Sequence, residues 1–104
     1  MFTVIETPTF VRLANDCWND EDRNRFISFI AGSPDVGDVV PGSGGVRKVR
    51  WGTAGRGKRG GVRVIYFNRL ANGEIWLLLV YGKSVRDNIP AHVLCQIKEE
   101  IEDA

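Results

Sequence analysis

Two short strand-forming runs on either side of a glycine-rich segment constrain the fold of this chain more than any other feature. The runs are Val46–Trp51 and Val62–Phe67, and five of the ten residues between them are glycine. Apolar runs that flank such a segment predict a β-hairpin. In the second run an arginine, Arg63, interrupts an otherwise apolar sequence.

The predicted hairpin carries an unusual charge. No Asp or Glu occurs between Val39 and Gly73, whereas eight of the fourteen Lys and Arg residues do. The acids lie towards the two ends of the chain, so the net charge of +1 conceals a dipolar surface. A cationic region without nearby carboxylates predicts a polyanionic partner. Its cations are Arg47, Lys48, Arg50, Arg56, Lys58, Arg59, Arg63 and Arg69.

A strand and two helices are predicted before the hairpin. Phe2–Glu6 is a β-branched run typical of a strand. Thr7 followed by Pro8 is a helix start, and apolar residues at helical spacing extend this helix to Trp18. Asn19 or Asp20 then caps a second helix, which ends near Gly32. Residues 35–45 lack periodicity and are expected to form a surface connection.

One strand and one helix are predicted after the hairpin. Asn72-Gly73 is a strong turn signal, and Ile75–Tyr81 is the most apolar strand of the chain. Pro90 opens a last helix with one apolar stripe. The order βααβββα predicts an α+β fold, in which helices pack on one face of an antiparallel-rich sheet. With this length, residues 1–104 are expected to form a single domain.

The location of the protein is predicted from what the sequence lacks. The N-terminal region has no basic segment followed by a long apolar run, and no stretch is long enough to span a bilayer. We therefore expect a cytoplasmic protein with no membrane partner. Cys17 and Cys95 fall among apolar residues of helical patterns and are interpreted as reduced core residues.

The glycine-rich segment contains two nucleotide-binding patterns that lack their structural context. Gly55, Gly57 and Gly60 form a literal GxGxxG, but a strand rather than a helix follows. Lys58 is followed by Arg59 where a P-loop needs Ser or Thr. No cofactor is expected. The segment is either a solvated hairpin tip or a phosphate-binding loop, and the absence of nearby acids favours the second.

The residue types around the hairpin favour chemistry without a metal ion. No pair of acids lies near the basic region, and His92 is interpreted as a helix-surface residue or a minor RNA contact. If RNA is cleaved, its own 2′-hydroxyl supplies the nucleophile and clustered cations stabilise the transition state. A lysine among other cations gives up its proton more readily, so Lys58 or Lys83 can transfer protons. Trp51 and Tyr66 are candidates for base stacking, and for Trp51 a place in the core is the alternative.

The segments GSGGVRKVRW, GRGKRGGVRVIYF and IWLLLVYGK, together with the last helix, resemble the RelE superfamily of toxins and in particular its HigB branch. The resemblance covers nearly the whole chain. It implies a compact RelE-like fold, cleavage of messenger RNA in the ribosomal A site, and metal-independent endoribonuclease activity. It also implies a cognate helix-turn-helix antitoxin as partner, beside the ribosome and its messenger.

The same resemblance implies roles for single residues. Arg63 matches the arginine that grips the scissile phosphate, Lys48 and Arg50 match basic residues of the site, and Lys83 follows the strand end as the family lysine does. The chain departs from RelE at Ser84 and Pro90, where RelE has an arginine and a tyrosine. Either Tyr81 or a lysine then replaces that tyrosine, or the reaction relies on substrate alignment and charge alone. The predicted catalytic residues are Arg63, Lys83, Lys58 and Tyr81, and the predicted RNA-binding residues are Arg47, Lys48, Arg50, Arg56 and Arg59.

Two other functions compete with this hypothesis. ParE relatives share the implied fold and inhibit DNA gyrase without catalysis, although they are not expected to need a dense Arg/Lys loop. A plain RNA-binding module would bind with strong salt dependence and leave the strand intact.

Overall fold

A computed structural model describes residues 2–52, 61–82 and 89–102 of the chain. Its helices are α1 (Pro8–Cys17), α2 (Asp20–Gly32) and α3 (Ala91–Glu102). Its strands are β1 (Thr3–Glu6), β2 (Asp38–Val39), β3 (Arg47–Trp51), β4 (Val62–Arg69) and β5 (Glu74–Gly82). Within the described ranges, every helix is too short or too polar to span a lipid bilayer.

The strands form one mixed sheet in the order β1-β5-β4-β3-β2. β1 runs parallel to β5, and the other neighbours are antiparallel. The predicted α+β class and antiparallel-rich sheet are confirmed, and β5 lies inside the sheet. The sequence missed β2, which was assigned to a surface connection. Its two residues are too few to produce a periodic pattern.

Both predicted helix caps are confirmed. The Thr7 hydroxyl accepts a hydrogen bond from the Phe10 N–H (3.2 Å) and donates one to the Leu77 carbonyl (2.9 Å). The cap therefore also ties the start of α1 to β5. Asn19 Oδ1 accepts a hydrogen bond from the Asp22 N–H at 2.8 Å. The first turn of α2 carries three acidic residues, whose charges interact favourably with the positive end of the helix dipole.

The helices cover both faces of the sheet, which corrects the expectation that they share one face. Alternate residues of a strand point to opposite faces. Val64 and Tyr66 of β4 pack in one core cluster with residues of α1 and α2, whereas Ile65 and Phe67 pack in a second cluster with Leu94 of α3. We call these sides the α1/α2 face and the α3 face. The continuous apolar run Val64–Phe67 in β4 is typical of a strand buried on both sides.

A β-bulge in β5 changes which residues face each side. Ile65 pairs with Leu79 and Tyr66 pairs with Leu77, so Leu78 lies between two pairs without a direct partner. Leu77 packs in the α1/α2 cluster before the bulge, and Tyr81 packs in the α3 cluster after it. An extra residue in one strand shifts its alternation by one position.

The two cysteines are free thiols and half-buried. Cys17 packs against the α1/α2 cluster, as the sequence predicted, and its thiol donates a weak hydrogen bond to the Val80 carbonyl at 3.7 Å. Burial raises the pKa of the Cys17 thiol, with a smaller contribution from the charge of Asp16.

Candidate nucleic-acid site

Three predicted site residues form a row across the α3 face. Arg50 of β3 pairs with Arg63 of β4, and Arg63 pairs with Tyr81 of β5. Residues directly opposite each other in antiparallel strands project from the same face, with Cβ atoms about 5 Å apart. The structure therefore brings together two of the predicted cations and the predicted tyrosine, which we call the cross-strand row.

Arg63 is the most enclosed cation of this row. Its residue is 7% exposed, in the middle strand of the sheet, whereas Arg50 is exposed. Among residues 2–52, 61–82 and 89–102, neither arginine forms an ion pair. A guanidinium removed from water without a carboxylate is costly, and like charges directly opposite each other add repulsion. An anion bound between Arg50 and Arg63 would relieve both costs.

Tyr81 closes the other end of the row. The residue is 7% exposed and packs in the α3 cluster. A phenol both donates and accepts a hydrogen bond, so beside Arg63 it is chemically suited to a phosphate oxygen or to a proton in transfer.

Lys48 lies one row further along β3 on the same face. It pairs with Ile65 on one side and with Asp38 of β2 on the other. The side chain of Lys48 is half-buried. The sequence missed Asp38 as a site residue, because it falls in the segment assigned to a surface connection. The β-branched pair Val39-Val40 is the signal that could have indicated a strand there.

Arg47, predicted as an RNA contact, is not brought to the cross-strand row. It pairs with Tyr66 and so points to the α1/α2 face. Its guanidinium donates hydrogen bonds to the carbonyls of Gly37 (2.6 Å) and Asp35 (3.3 Å) and lies 3.7 Å from the Asp35 carboxylate. In this structure Arg47 stabilises the chain that leads into β2.

Tyr66, a base-stacking candidate in the sequence, is instead fully buried and holds the same segment from the core. Its hydroxyl accepts from the Gly37 N–H at 2.9 Å and donates to the Pro34 carbonyl at 2.8 Å, which also accepts from the Asn68 amide at 2.9 Å. Burial raises the pKa of Tyr66, while the Gly37 hydrogen bond and the charge of Arg47 oppose that rise. The hydroxyl is therefore neutral and serves as a structural anchor.

Four predicted site residues lie outside the described ranges: Arg56, Lys58, Arg59 and Lys83. The strand ends nearest to them are described, and these ends border the cross-strand row. Val62 pairs with Trp51 on one side and with Gly82 on the other, one position from the row.

Two other aromatic or titratable candidates are placed by the structure. The Trp51 ring lies 4.9 Å from the Phe29 ring and 5.4 Å from the Phe26 ring, so it packs against α2 on the α1/α2 face. Trp51 is therefore a half-buried core residue. His92 is exposed in the first turn of α3, as expected for a helix-surface residue.

The fold is similar to that of a solved structure, although no family model matches the chain. It is similar to the free state of an E. coli toxin RelE mutant in which two arginines are replaced by alanine. The TM-score is 0.56 at 11% sequence identity, over 98% of this chain and 95% of that chain. The chain has a RelE-like fold. At this identity, the RelE-like architecture is what the two chains share.

The RelE-like fold agrees with the fold class expected from sequence. The resemblance in the hairpin and in the last two elements thus led to the correct architecture, apart from the additional strand β2 and the placement of α3. The assignment of individual site residues is argued only from the geometry of this chain.

Proposed function

We propose that this chain is a RelE-superfamily toxin of a type II toxin-antitoxin system, on the HigB-like branch, and that it cleaves messenger RNA in the ribosomal A site. The observation that carries the proposal is the cross-strand row, with two arginines paired directly opposite each other and a tyrosine beside them. A RelE-like fold over nearly the whole chain supports it.

The row suits a reaction in which the RNA supplies its own nucleophile. The 2′-hydroxyl oxygen bonds to the adjacent phosphorus, the bond to the 5′-oxygen breaks, and a 2′,3′-cyclic phosphate and a 5′-hydroxyl result. One proton leaves the 2′-hydroxyl and one reaches the 5′-oxygen. Arg63 and Arg50 hold the non-bridging oxygens, whose charge increases in the transition state.

The other predicted catalytic residues transfer the two protons. The Tyr81 phenol lies beside Arg63, on the side of the row away from Arg50, and is assigned to the proton of one of the two oxygens. Lys58 or Lys83 serves the other, and Arg56, Lys58 and Arg59 supply further contacts to the RNA backbone. The partners are the ribosome with its messenger and a helix-turn-helix antitoxin that neutralises the toxin.

A cell-free translation reaction tests this function. Purified protein is added with and without ribosomes, and messenger ends are mapped by primer extension. We expect new 5′ ends at codon-sized spacing only when ribosomes are present. Intact messenger with undisturbed translation would refute the nuclease. A decrease in the negative supercoiling of DNA in treated cells would then indicate gyrase inhibition.

Variants of the row connect the activity to its residues. Arg50→Ala removes an exposed cation without a described ion pair, and Arg12→Ala, an exposed arginine on α1, is its matched control. We expect the first to lose cleavage and the second to retain it. Arg63→Lys keeps the positive charge but loses the planar guanidinium group. Its cleavage activity therefore shows whether the site needs bidentate hydrogen bonds to phosphate or only a positive charge. Circular dichroism of each variant checks that the fold is intact.

A further inference from the structure

A groove at the edge of the sheet adjoins the cross-strand row. Its volume is about 350 Å³, and its walls are Val36, Asp38, Lys48, Val49 and Arg50. A volume of this size accommodates a small ligand such as a single nucleotide. Arg50 belongs both to the groove and to the cross-strand row. A single RNA strand could therefore place one nucleotide in the groove and the next phosphate on the row.

The chain before β2 turns towards the α1/α2 face and does not continue the pairing with β3. The N–H of Gly37 bonds to the Tyr66 hydroxyl and its carbonyl bonds to Arg47, and both partners lie on the α1/α2 face. These groups are then not used to extend the pairing of β2 beyond Asp38. A Cβ on residue 37 would lie 2.9 Å from the Lys48 carbonyl and from the Tyr66 ring, so only glycine fits there.

The chemistry of the groove matches the parts of a nucleotide. Val36 is 44% exposed and offers an apolar wall against which a base can lie. Arg50 at the opposite side provides a cation for the phosphate. Asp38 contributes an exposed carboxylate that forms no ion pair within the described ranges, in a surface where the next acid along the chain is Glu74.

A carboxylate beside a base discriminates between bases. When ionised it only accepts hydrogen bonds, and the amino groups of adenine, cytosine and guanine donate them. Uracil has no amino group, and its N3–H donor lies between two carbonyl oxygens that the carboxylate repels. Lys48, directly opposite Asp38, offsets the repulsion between this carboxylate and the RNA backbone.

We propose that the groove between residues 36–38 and β3 seats the base of a nucleotide next to the scissile phosphate, and that Asp38 selects bases with an amino group over uracil. This inference rests on the proposed function, since it places the base relative to the cross-strand row. It assigns to Arg47 and Tyr66 the role of positioning residues, which keep the groove open from the other face.

The groove is tested without ribosomes by fluorescence anisotropy of labelled short oligoadenylate, oligocytidylate and oligouridylate at low salt. We expect wild-type protein to bind the first two roughly tenfold more tightly than the third. Asp38→Asn keeps the shape but adds a donor that uracil accepts, so the difference should disappear. Asp16→Asn, an exposed carboxylate on α1, makes the same charge change away from the groove and should leave the difference intact.

The inference is overturned if wild-type protein binds all three oligomers equally or binds none. It is also overturned if Asp38→Asn strengthens all three by the same factor, because Asp38 would then act only through its charge. The proposed function is judged separately in the translation reaction. Oligomer selectivity without messenger cleavage would refute the nuclease and keep the groove, whereas cleavage unchanged in its base preference by Asp38→Asn would refute the groove and keep the nuclease.

Discussion

Arg50 and Arg63 are directly opposite each other on adjacent antiparallel strands, on the face of the sheet that α3 partly covers. Like charges in this position destabilise a sheet, and the described part of the chain provides no carboxylate to either arginine. The pair is therefore unfavourable for folding alone and favourable once an anion binds between the two guanidinium groups.

Replacing Arg50 should raise stability while it removes activity. Arg50→Ala relieves the repulsion and is expected to increase the free energy of unfolding by about 0.5 kcal/mol. Urea denaturation measures the change, and primer extension after translation measures the loss of cleavage. Arg12→Ala should alter neither; a destabilised Arg50→Ala would mean that the pair does not repel as the register implies.

Arg47→Ala should have the opposite effect on stability, although it lies three residues away on the same strand. Its charged hydrogen bond to the Gly37 carbonyl is lost, and we expect a decrease of about 2 kcal/mol in the free energy of unfolding. Urea denaturation of Arg47→Ala and Arg50→Ala measures the free energy of unfolding of both variants and so compares the two faces of β3. Equal shifts of the two variants in the same direction would contradict the different environments described for them.

Tyr66→Phe should change the pH dependence of stability above about pH 10. Burial raises the pKa of Tyr66 in the folded state, so its contribution to stability is complete below the unfolded pKa and is lost as pH rises towards the folded pKa. At neutral pH the variant should be less stable by about 1 to 2 kcal/mol, since Gly37 and Pro34 lose a partner.

The measurement is urea denaturation of wild type and Tyr66→Phe between about pH 8 and pH 11. The difference between the two proteins should narrow at the alkaline end, because only the wild type has a tyrosine to ionise at this position. A constant difference across the whole range would show that ionisation of Tyr66 is not coupled to folding.

Ser43→Ala should destabilise the connection between β2 and β3. Ser43 is fully buried; its hydroxyl donates to the Val40 carbonyl at 2.6 Å and accepts from the Val46 N–H at 3.0 Å. Alanine leaves the buried Val46 N–H without its partner, at a cost of about 1 to 3 kcal/mol, while the Val40 carbonyl still accepts from the backbone N–H of residue 43. Thermal denaturation checks this, with the exposed Ser28→Ala on α2 as control. An unchanged melting temperature would mean that water replaces the hydroxyl.

Local signals in the sequence were sufficient for most of the fold. Thr7 with Pro8, Asn19 and the Asn72-Gly73 turn act through neighbouring residues, so the elements they delimit could be predicted without knowing what packs against them. The cationic hairpin was predicted for the same reason, and the alternation of β3 places Lys48 and Arg50 on a different face from Arg47.

What the sequence could not indicate depends on contacts between distant residues. Asp35 and Gly37 engage Arg47, and Gly37 reaches Tyr66, which lies 29 positions away along the chain. No local pattern reveals that pairing, so Arg47 was grouped with the RNA contacts and Asp38 was left unassigned. The position of α3 on the opposite face likewise follows from which side of β4 remained uncovered by α1 and α2.

The bulge at Leu78 decides whether the site contains a tyrosine at all. If the same sequence paired without a bulge, Val80 would lie opposite Arg63, and Tyr81 would follow the alternation of Ile75 and Leu77 and point into the α1/α2 core. Loss of the bulge with the sequence unchanged would thus dismantle the row, whereas deletion of Leu78 would keep Tyr81 opposite Arg63 in a regular ladder. In homologues of this chain, a tyrosine one position out of alignment can occupy the same place in space, and an aligned tyrosine can be absent from it.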